Sequence, residues 1–110
     1  MLRFATERDS LRVVADQIGV PTSTRLLADV TVGMLKAMQS ANEGDARWGT
    51  YHVAAAGETS WHGYAQHVIA GALQRGAKLK ASPGSVAPIT TAEYPLPAPR
   101  PLNSRLNTGK

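Results

Sequence analysis

The chain contains no cysteine, which excludes a disulfide framework and any metal site built on thiolates. Its uninterrupted apolar runs are only a few residues long, whereas about 20 residues are needed to span a bilayer. The N-terminal stretch MLRFATERDS carries charged side chains and lacks the apolar block of a secretion signal. These absences predict a cytoplasmic protein with no membrane partner.

Acidic residues are scarce in the last third of the chain. Residues 75–110 contain six lysines and arginines but a single acid, Glu93, and the net charge of the whole chain is +4. Such a segment can bind nucleic acid, but these cations are dispersed among six of the seven prolines, with no recognition helix and no aromatic RNA-binding motif. We therefore predict no nucleic-acid partner, and nucleic-acid binding is the weakest of three hypotheses. One or two of these cations would suffice for a phosphate group on a small ligand.

The residue patterns of common catalytic and cofactor sites are also missing. His62 and His67 are five residues apart on a predicted helix, so they do not share a face as metal ligands would. GALQRGAK resembles a phosphate-binding loop but has Ala77 in the lysine position. No GxGxxG follows a strand, and no tyrosine precedes a lysine by four residues. We predict no catalytic residue, no cofactor cradle and no metal site in this chain.

Apolar periodicity predicts an α/β alternation over residues 1–77. The predicted order is helix, strand, helix, strand and helix, at residues 1–9, 11–15, 26–39, 50–56 and 60–76, with Thr59 or Ser60 as the cap of the last helix. Two strands make a poor sheet. The sequence therefore predicts an α/β fold with few strands that is incomplete by itself.

Residues 78–110 form a second, proline-rich portion. Its six prolines disfavour a long helix and a central strand, so we expect an ordered, extended segment against the two long helices. Those helices carry apolar stripes, at Leu27, Val30, Met34 and Met38 and at Trp61, Tyr64, Ala65, Val68 and Ala72. Because few neighbours are present to cover these stripes, we expect the isolated chain to be marginally stable or to associate.

Two polar stretches are candidates for binding. In DQIGVPT, Gly19 permits close approach of backbone to a ligand, Pro21 stiffens the turn, and Gln17 and Thr22 offer hydrogen bonds. The same residues would also suit a plain loop that caps a helix. In RPLNSRL, Arg100 stands between two prolines and suits a fixed anion such as a diphosphate. An arginine in solvent explains that residue equally well.

Three segments together resemble the C-terminal half of dTDP-4-dehydrorhamnose reductases, which belong to the extended short-chain dehydrogenase/reductase group. They are VVADQIGVPTSTRLLADVT, GTYHVAAAGETSWHGYAQHVI and VAPITTAEYPLPAPRPLNSRLNTGK, in this order. The resemblance extends over nearly the whole chain. It implies the substrate-binding portion of a Rossmann-type fold, whose N-terminal domain, which binds NADPH and carries a Tyr-x-x-x-Lys pair, is absent here.

The resemblance also implies roles for particular residues. Gln17, Gly19, Pro21 and Thr22 would line the cleft for a dTDP-sugar, and Arg100 would lie near its diphosphate. Asn103 and Ser104 would brace the Arg100 loop, and Trp61 and Tyr64 would pack the helix. Two residues depart from the family pattern: Pro99 replaces a frequent arginine, and Val20 a common alanine.

Two hypotheses follow from the resemblance. In the first, the chain is part of an NADPH-dependent enzyme of dTDP-rhamnose biosynthesis, which makes a precursor of cell-wall polysaccharide, and is inactive alone. In the second, it is a non-catalytic nucleotide-sugar-binding or regulatory module of the same fold. Either could involve a homodimer or a complementing N-terminal domain.

Overall fold

The computed structural model describes residues 1–109, which form three α-helices, four short strands and two 3₁₀ turns. In chain order these are α1 (Leu2–Glu7), β1 (Leu11–Val14), β2 (Ile18–Gly19), α2 (Thr24–Met38), β3 (Thr59–Ser60), α3 (Trp61–Gln74), a 3₁₀ turn (Pro83–Ser85), β4 (Val86–Ile89) and a second 3₁₀ turn (Thr91–Glu93). None of the helices within these residues is long and apolar enough to cross a bilayer.

The proline-rich portion contributes a strand, which the sequence analysis did not predict. β4 pairs in parallel with β1, in a register that sets Val13 opposite Pro88. Ala15 N donates to Ile89 O at 2.8 Å, so the peptide groups of Ile89 face β1. Because successive residues of a strand direct their peptide groups to opposite sides, the nitrogen of Pro88 faces the open edge of this two-stranded sheet. A proline is tolerated there because no hydrogen-bond donor is needed.

The predicted strand at residues 50–56 is wrong. That segment has no regular structure, and Ala55 N donates to the side chain of Thr22 instead of to a neighbouring strand. The strand that does form is shorter and later: β3 pairs antiparallel with β2, with Ile18 opposite Ser60 and Gly19 opposite Thr59. The alternation over residues 1–77 therefore retains its helices but not its second long strand.

The core lies where α3 packs on the parallel strand pair. Ser60 caps α3 by accepting from Gly63 N at 3.1 Å, and the chain leaves the helix through Gly76, whose φ of 83° favours glycine. The core members are Ala5, Leu11, Ala65, Ile69, Ala81 and Val86. Of the stripe predicted on α3, Ala65 is fully buried in the core, beside Ile69, whereas Trp61 at the start of the helix is 52% exposed.

Helix α2 lies outside this core. Ser23 caps it by accepting from Leu26 N at 3.2 Å, yet none of its residues is fully buried and Leu35 is 64% exposed. The radius of gyration is 18.5 Å, whereas a compact chain of this length has a value of about 13 Å. The molecule is therefore elongated, with apolar side chains of α2 facing solvent.

We predict that the isolated chain associates through α2. Light scattering after size exclusion should give a mass above the 11.7 kDa of the monomer, because the apolar side chains of α2 are exposed. Leu27→Lys with Leu35→Lys should shift the mass toward the monomer. Ser40→Lys, which adds a charge just beyond α2, is the control. A wild-type monomer with a sharp, cooperative thermal transition would contradict the prediction.

Candidate functional site

A cavity of about 240 Å³ lies where β2, the start of α3 and the RPLNSRL segment meet. Five of the seven residues singled out from the sequence line it: Gln17, Gly19, Pro21, Arg100 and Ser104. The DQIGVPT and RPLNSRL stretches, about eighty positions apart in the chain, therefore form one site.

The backbone of Ile18 brings these stretches together. Ile18 N donates to Leu102 O at 2.8 Å, and Ser104 N donates to Ile18 O at 2.9 Å. The side chain of Ser104 also donates to Ile18 O. A Cβ atom on Gly19 would lie 2.8 Å from Ser104 Oγ, so any larger residue here would displace the Ser104 hydroxyl, which bonds to Ile18 O.

Thr22 and Asn103 do not line this cavity, and a role of Thr22 in a substrate cleft stays a prediction. Thr22 Oγ1 donates to Val20 O at 3.0 Å and accepts from Ala55 N at 3.2 Å. Asn103 Oδ1 accepts from the backbone and side-chain nitrogens of Arg105, and its backbone bridges to Ile18. The polar groups of both residues hold the surrounding loops in place.

A hydrogen-bonded cluster fixes the start of the DQIGVPT loop. The carboxylate of Asp16 accepts from Thr91 N at 2.9 Å and from Thr91 Oγ1 at 2.7 Å. The buried side chain of Gln17 donates to the same hydroxyl at 3.1 Å. The hydrogen bonds from Thr91 hold the pKa of Asp16 below its ordinary value. The pairing of Asp16 with Thr91 could not be predicted from the sequence, because no spacing rule relates residues 75 positions apart.

Arg100 differs from every other arginine in the chain. It has no hydrogen bond, ion pair or ring contact with any of residues 1–109. Each of the others has a partner: Arg3 with Glu7, Arg12 with Glu93, Arg25 with Asp29, Arg47 with Asp45, Arg105 with Glu58, Arg75 with Gly71 O, and Arg8 with the ring of Phe4. The cation at the cavity is therefore available to an anionic ligand.

Two aromatic side chains form a further wall of the cavity. Trp61 and Tyr64 line it and contact each other edge to face, with ring centres 6.4 Å apart and planes at 73°. Neither the indole N–H nor the phenol hydroxyl is hydrogen-bonded to any of residues 1–109. The sequence analysis interpreted both residues as helix packing, because their spacing is also that of a core stripe.

A second cavity of about 830 Å³ adjoins the first. Gln17, Trp61 and Arg100 line both. The larger cavity is otherwise bounded mainly by apolar side chains of α1, β1 and the proline-rich portion, such as Phe4, Val13 and Leu96. Arg100 therefore stands where two spaces of different size meet.

The described residues do not fit a dinucleotide. A pyrophosphate cradle needs a glycine-rich turn from a parallel strand into a helix, whereas in residues 1–109 β1 leads into the Asp16 loop and β4 into a 3₁₀ turn. At the junction of β3 and α3, a Cβ atom on Gly63 would lie 2.6 Å from Thr59 Oγ1, so protein already occupies the space beside that glycine. No cluster of three or more potential metal ligands occurs within residues 1–109.

Comparison with known proteins gives a consistent set of relatives. The family described as "RmlD substrate binding domain" matches residues 1–110. A "dTDP-4-dehydrorhamnose reductase" of Burkholderia thailandensis is 44% identical over 97% of this chain and 36% of its own length. The protein of the same name in Escherichia coli K12 is 44% identical over the whole of this chain and 35% of its own length.

Solved structures agree with these relatives. The structure of a dTDP-4-dehydrorhamnose reductase from Bacillus anthracis, in complex with NADP, matches with a TM-score of 0.71 and 33% identity, over 97% of this chain and 32% of its own. The structure of a dTDP-4-dehydrorhamnose reductase from Clostridium acetobutylicum matches with a TM-score of 0.73 and 32% identity. The match covers 96% of this chain and 32% of the Clostridium chain. The chain thus spans about a third of the length of the relatives it matches.

We predict that Asp16 makes part of the free energy of unfolding depend on pH in the acidic range. The pKa of Asp16 in the folded chain lies below the ordinary value of 3.8. The charged carboxylate therefore stabilises the fold fully at a pH above 3.8, and this stabilisation is lost as the pH falls through the lowered pKa. In Asp16→Asn, urea unfolding followed by circular dichroism should therefore depend less on pH below about pH 4. Asp45 and Glu93 also have lowered pKa values, so the part of the pH dependence of the unfolding free energy that they cause should remain in this variant.

Asp9→Asn is the control, because it removes an exposed carboxylate that has no hydrogen bond within residues 1–109. An unchanged pH slope in Asp16→Asn would mean that Thr91 does not stabilise the charged form of Asp16.

Proposed function

The chain belongs to the RmlD substrate binding domain family, and on that premise we propose that it is the substrate-binding third of a dTDP-4-dehydrorhamnose reductase. The complete enzyme would reduce the 4-keto group of dTDP-4-dehydro-L-rhamnose to give dTDP-L-rhamnose, with NADPH as the reductant. Support comes from relatives of that name at 44% identity and from a site that suits an anionic, two-part ligand.

The unpaired guanidinium of Arg100 is the observation that carries the proposal. A sugar nucleotide has two bulky ends joined by a diphosphate, and Arg100 stands at the junction of two cavities. Guanidinium binds phosphate oxygens through two parallel hydrogen bonds. Its flanking residues, Pro99 and Pro101, restrict the backbone, so less conformational entropy is lost on binding.

Both portions of the chain contribute to the proposed site. Residues 1–77 supply Gln17, Gly19 and Pro21, and residues 78–110 supply Arg100 and Ser104. Thr22 and Asn103 act through the loops that they hold. The site therefore depends on the register between β2 and the RPLNSRL segment.

In this proposal the chain contributes binding and no catalytic residue. NADPH and the proton donor for the 4-keto oxygen belong to the remaining two thirds of the enzyme, since the turns of residues 1–109 do not fit a dinucleotide. The partner is that cofactor domain, in a single polypeptide or as a complementing chain, and a homodimer is compatible with the exposed face of α2. We place the enzyme in the cytoplasm, where NADPH is supplied.

We predict that Arg100→Ala weakens binding of dTDP to the chain about 10- to 100-fold, because a hydrogen bond to a charged group is lost from the diphosphate. Isothermal titration calorimetry gives the affinity directly. Arg25→Ala is the matched control, since Arg25 is an exposed arginine whose partner is Asp29, and it should bind like the wild type. Equal affinities for wild type and Arg100→Ala would remove the observation on which the proposal depends.

A chimera tests the activity itself. We expect NADPH oxidation with dTDP-4-dehydro-L-rhamnose when this chain replaces the matching third of the Burkholderia thailandensis relative, and none from the chain alone, because hydride transfer needs the cofactor beside the sugar. Arg100→Ala in the chimera should raise KM more than it lowers kcat. Turnover by the chain alone would show that the proposed division of roles is wrong.

A further inference from the structure

We propose that Trp61 and Tyr64 form the binding wall for the nucleobase of the sugar nucleotide, with the sugar extending past Arg100 into the larger cavity. This inference rests on the proposed function and adds to it the orientation of the ligand and two residues that recognise it. It follows from the exposure and free polar groups of the two aromatic residues, and from the sizes of the two cavities.

Trp61 is exposed although the next turns of α3 pack in the core. Ala65 and Ile69, further along α3, are fully buried, whereas Trp61 is 52% exposed. It borders both cavities. A large, rigid aromatic surface at a cavity mouth binds planar rings well, because stacking buries much apolar area at little entropic cost.

The free polar groups match the edge of a pyrimidine. The indole N–H of Trp61 is a donor, and the hydroxyl of Tyr64 is both donor and acceptor; neither is hydrogen-bonded to any of residues 1–109. A thymine ring presents carbonyl acceptors and one N–H donor at its edge. The wall therefore offers hydrogen bonds as well as apolar surface.

The smaller cavity suits the base better than the sugar. Three of its hydroxyls each already make a hydrogen bond within the chain: Ser60 Oγ accepts from Gly63 N, Ser104 Oγ donates to Ile18 O, and Thr59 Oγ1 donates to Ser60 O. The remaining lining includes Pro21 and Pro101, whose rings are compact and apolar. A pyranose has several hydroxyls, and the larger cavity offers them more polar side chains, Arg8, Arg12 and Tyr94 among them.

Cavity volume assigns the two ends of the ligand. Sites for complete ligands of drug size have volumes of about 300–1,000 Å³, so a space of about 240 Å³ holds only part of a sugar nucleotide. The space of about 830 Å³ beyond Arg100 accommodates the remainder. With the diphosphate at Arg100, the base occupies the smaller space and the sugar the larger one.

Two probes separate base recognition from phosphate binding: dTDP, and inorganic pyrophosphate, which has no base. Calorimetry on the full 110-residue chain should show that Trp61→Ala weakens dTDP about tenfold and leaves pyrophosphate unchanged. Trp61→Phe should recover part of the loss. Arg100→Ala should weaken both probes. The matched control is Trp48→Phe, because Trp48 is an exposed tryptophan that lines neither cavity.

Fluorescence gives a second measurement that needs no substitution at the wall. In Trp48→Phe, Trp61 is the single tryptophan, and stacking of a base on its indole should quench the emission. We expect quenching by dTDP and none by pyrophosphate. This titration decides the proposal if Trp61→Ala does not fold.

The outcomes distinguish the two proposals. Binding of dTDP that depends on Arg100 but is insensitive to Trp61, with no quenching, would overturn the aromatic wall and leave the proposed function standing; that result would fit a Trp61 covered by another polypeptide. Equal weakening of dTDP and pyrophosphate by Trp61→Ala would also overturn it. Binding of neither probe by the wild type would overturn the proposed function itself.

Discussion

The backbone pairing of Ile18 is the constraint on which the site depends. Ile18 pairs with Ser60 in β3 on one side and bridges to Asn103 on the other. These few hydrogen bonds bring together a loop after β1, the first turn of α3 and a segment near the C-terminus. If the pairing moved by one residue, the side chains of β2 would exchange faces, and the lining of the cavity would change.

The polar side chains around Ile18 fall into two groups: those that hydrogen-bond to other residues of the chain, and those that have no partner within residues 1–109. Asp16, Gln17 and Thr91 hydrogen-bond to one another and so fix the start of the loop. Arg100 and the polar ends of Trp61 and Tyr64 have no partner within residues 1–109. These unpartnered polar groups beside the cavity are the ones that the proposed ligand would contact.

Much of the chain could be predicted from its sequence. The long helices follow from apolar periodicity and from their serine and threonine caps, which are local signals. The strand predicted at residues 50–56 failed because β-propensity does not supply a pairing partner. β4 was missed because the prolines argued against a central strand and an extended segment was predicted instead, although Pro88 is tolerated at an open edge. The stripe on α3 holds at Ala65 but not at Trp61, because periodicity cannot say whether Trp61 faces a core or a cavity.

The sequence by itself determined the family, through the resemblance of three segments, and it picked out DQIGVPT and RPLNSRL as candidates for binding because their chemistry is local: a permissive glycine, stiff prolines and a planar cation. Only the tertiary structure decided that these stretches meet at Ile18, that Thr22 faces the scaffold, and that Trp61 and Tyr64 line the same cavity as Arg100. The physical reason is that hydrogen-bond pairing and burial depend on which distant residues come into contact, and residue spacing along a chain does not encode those contacts in any local pattern.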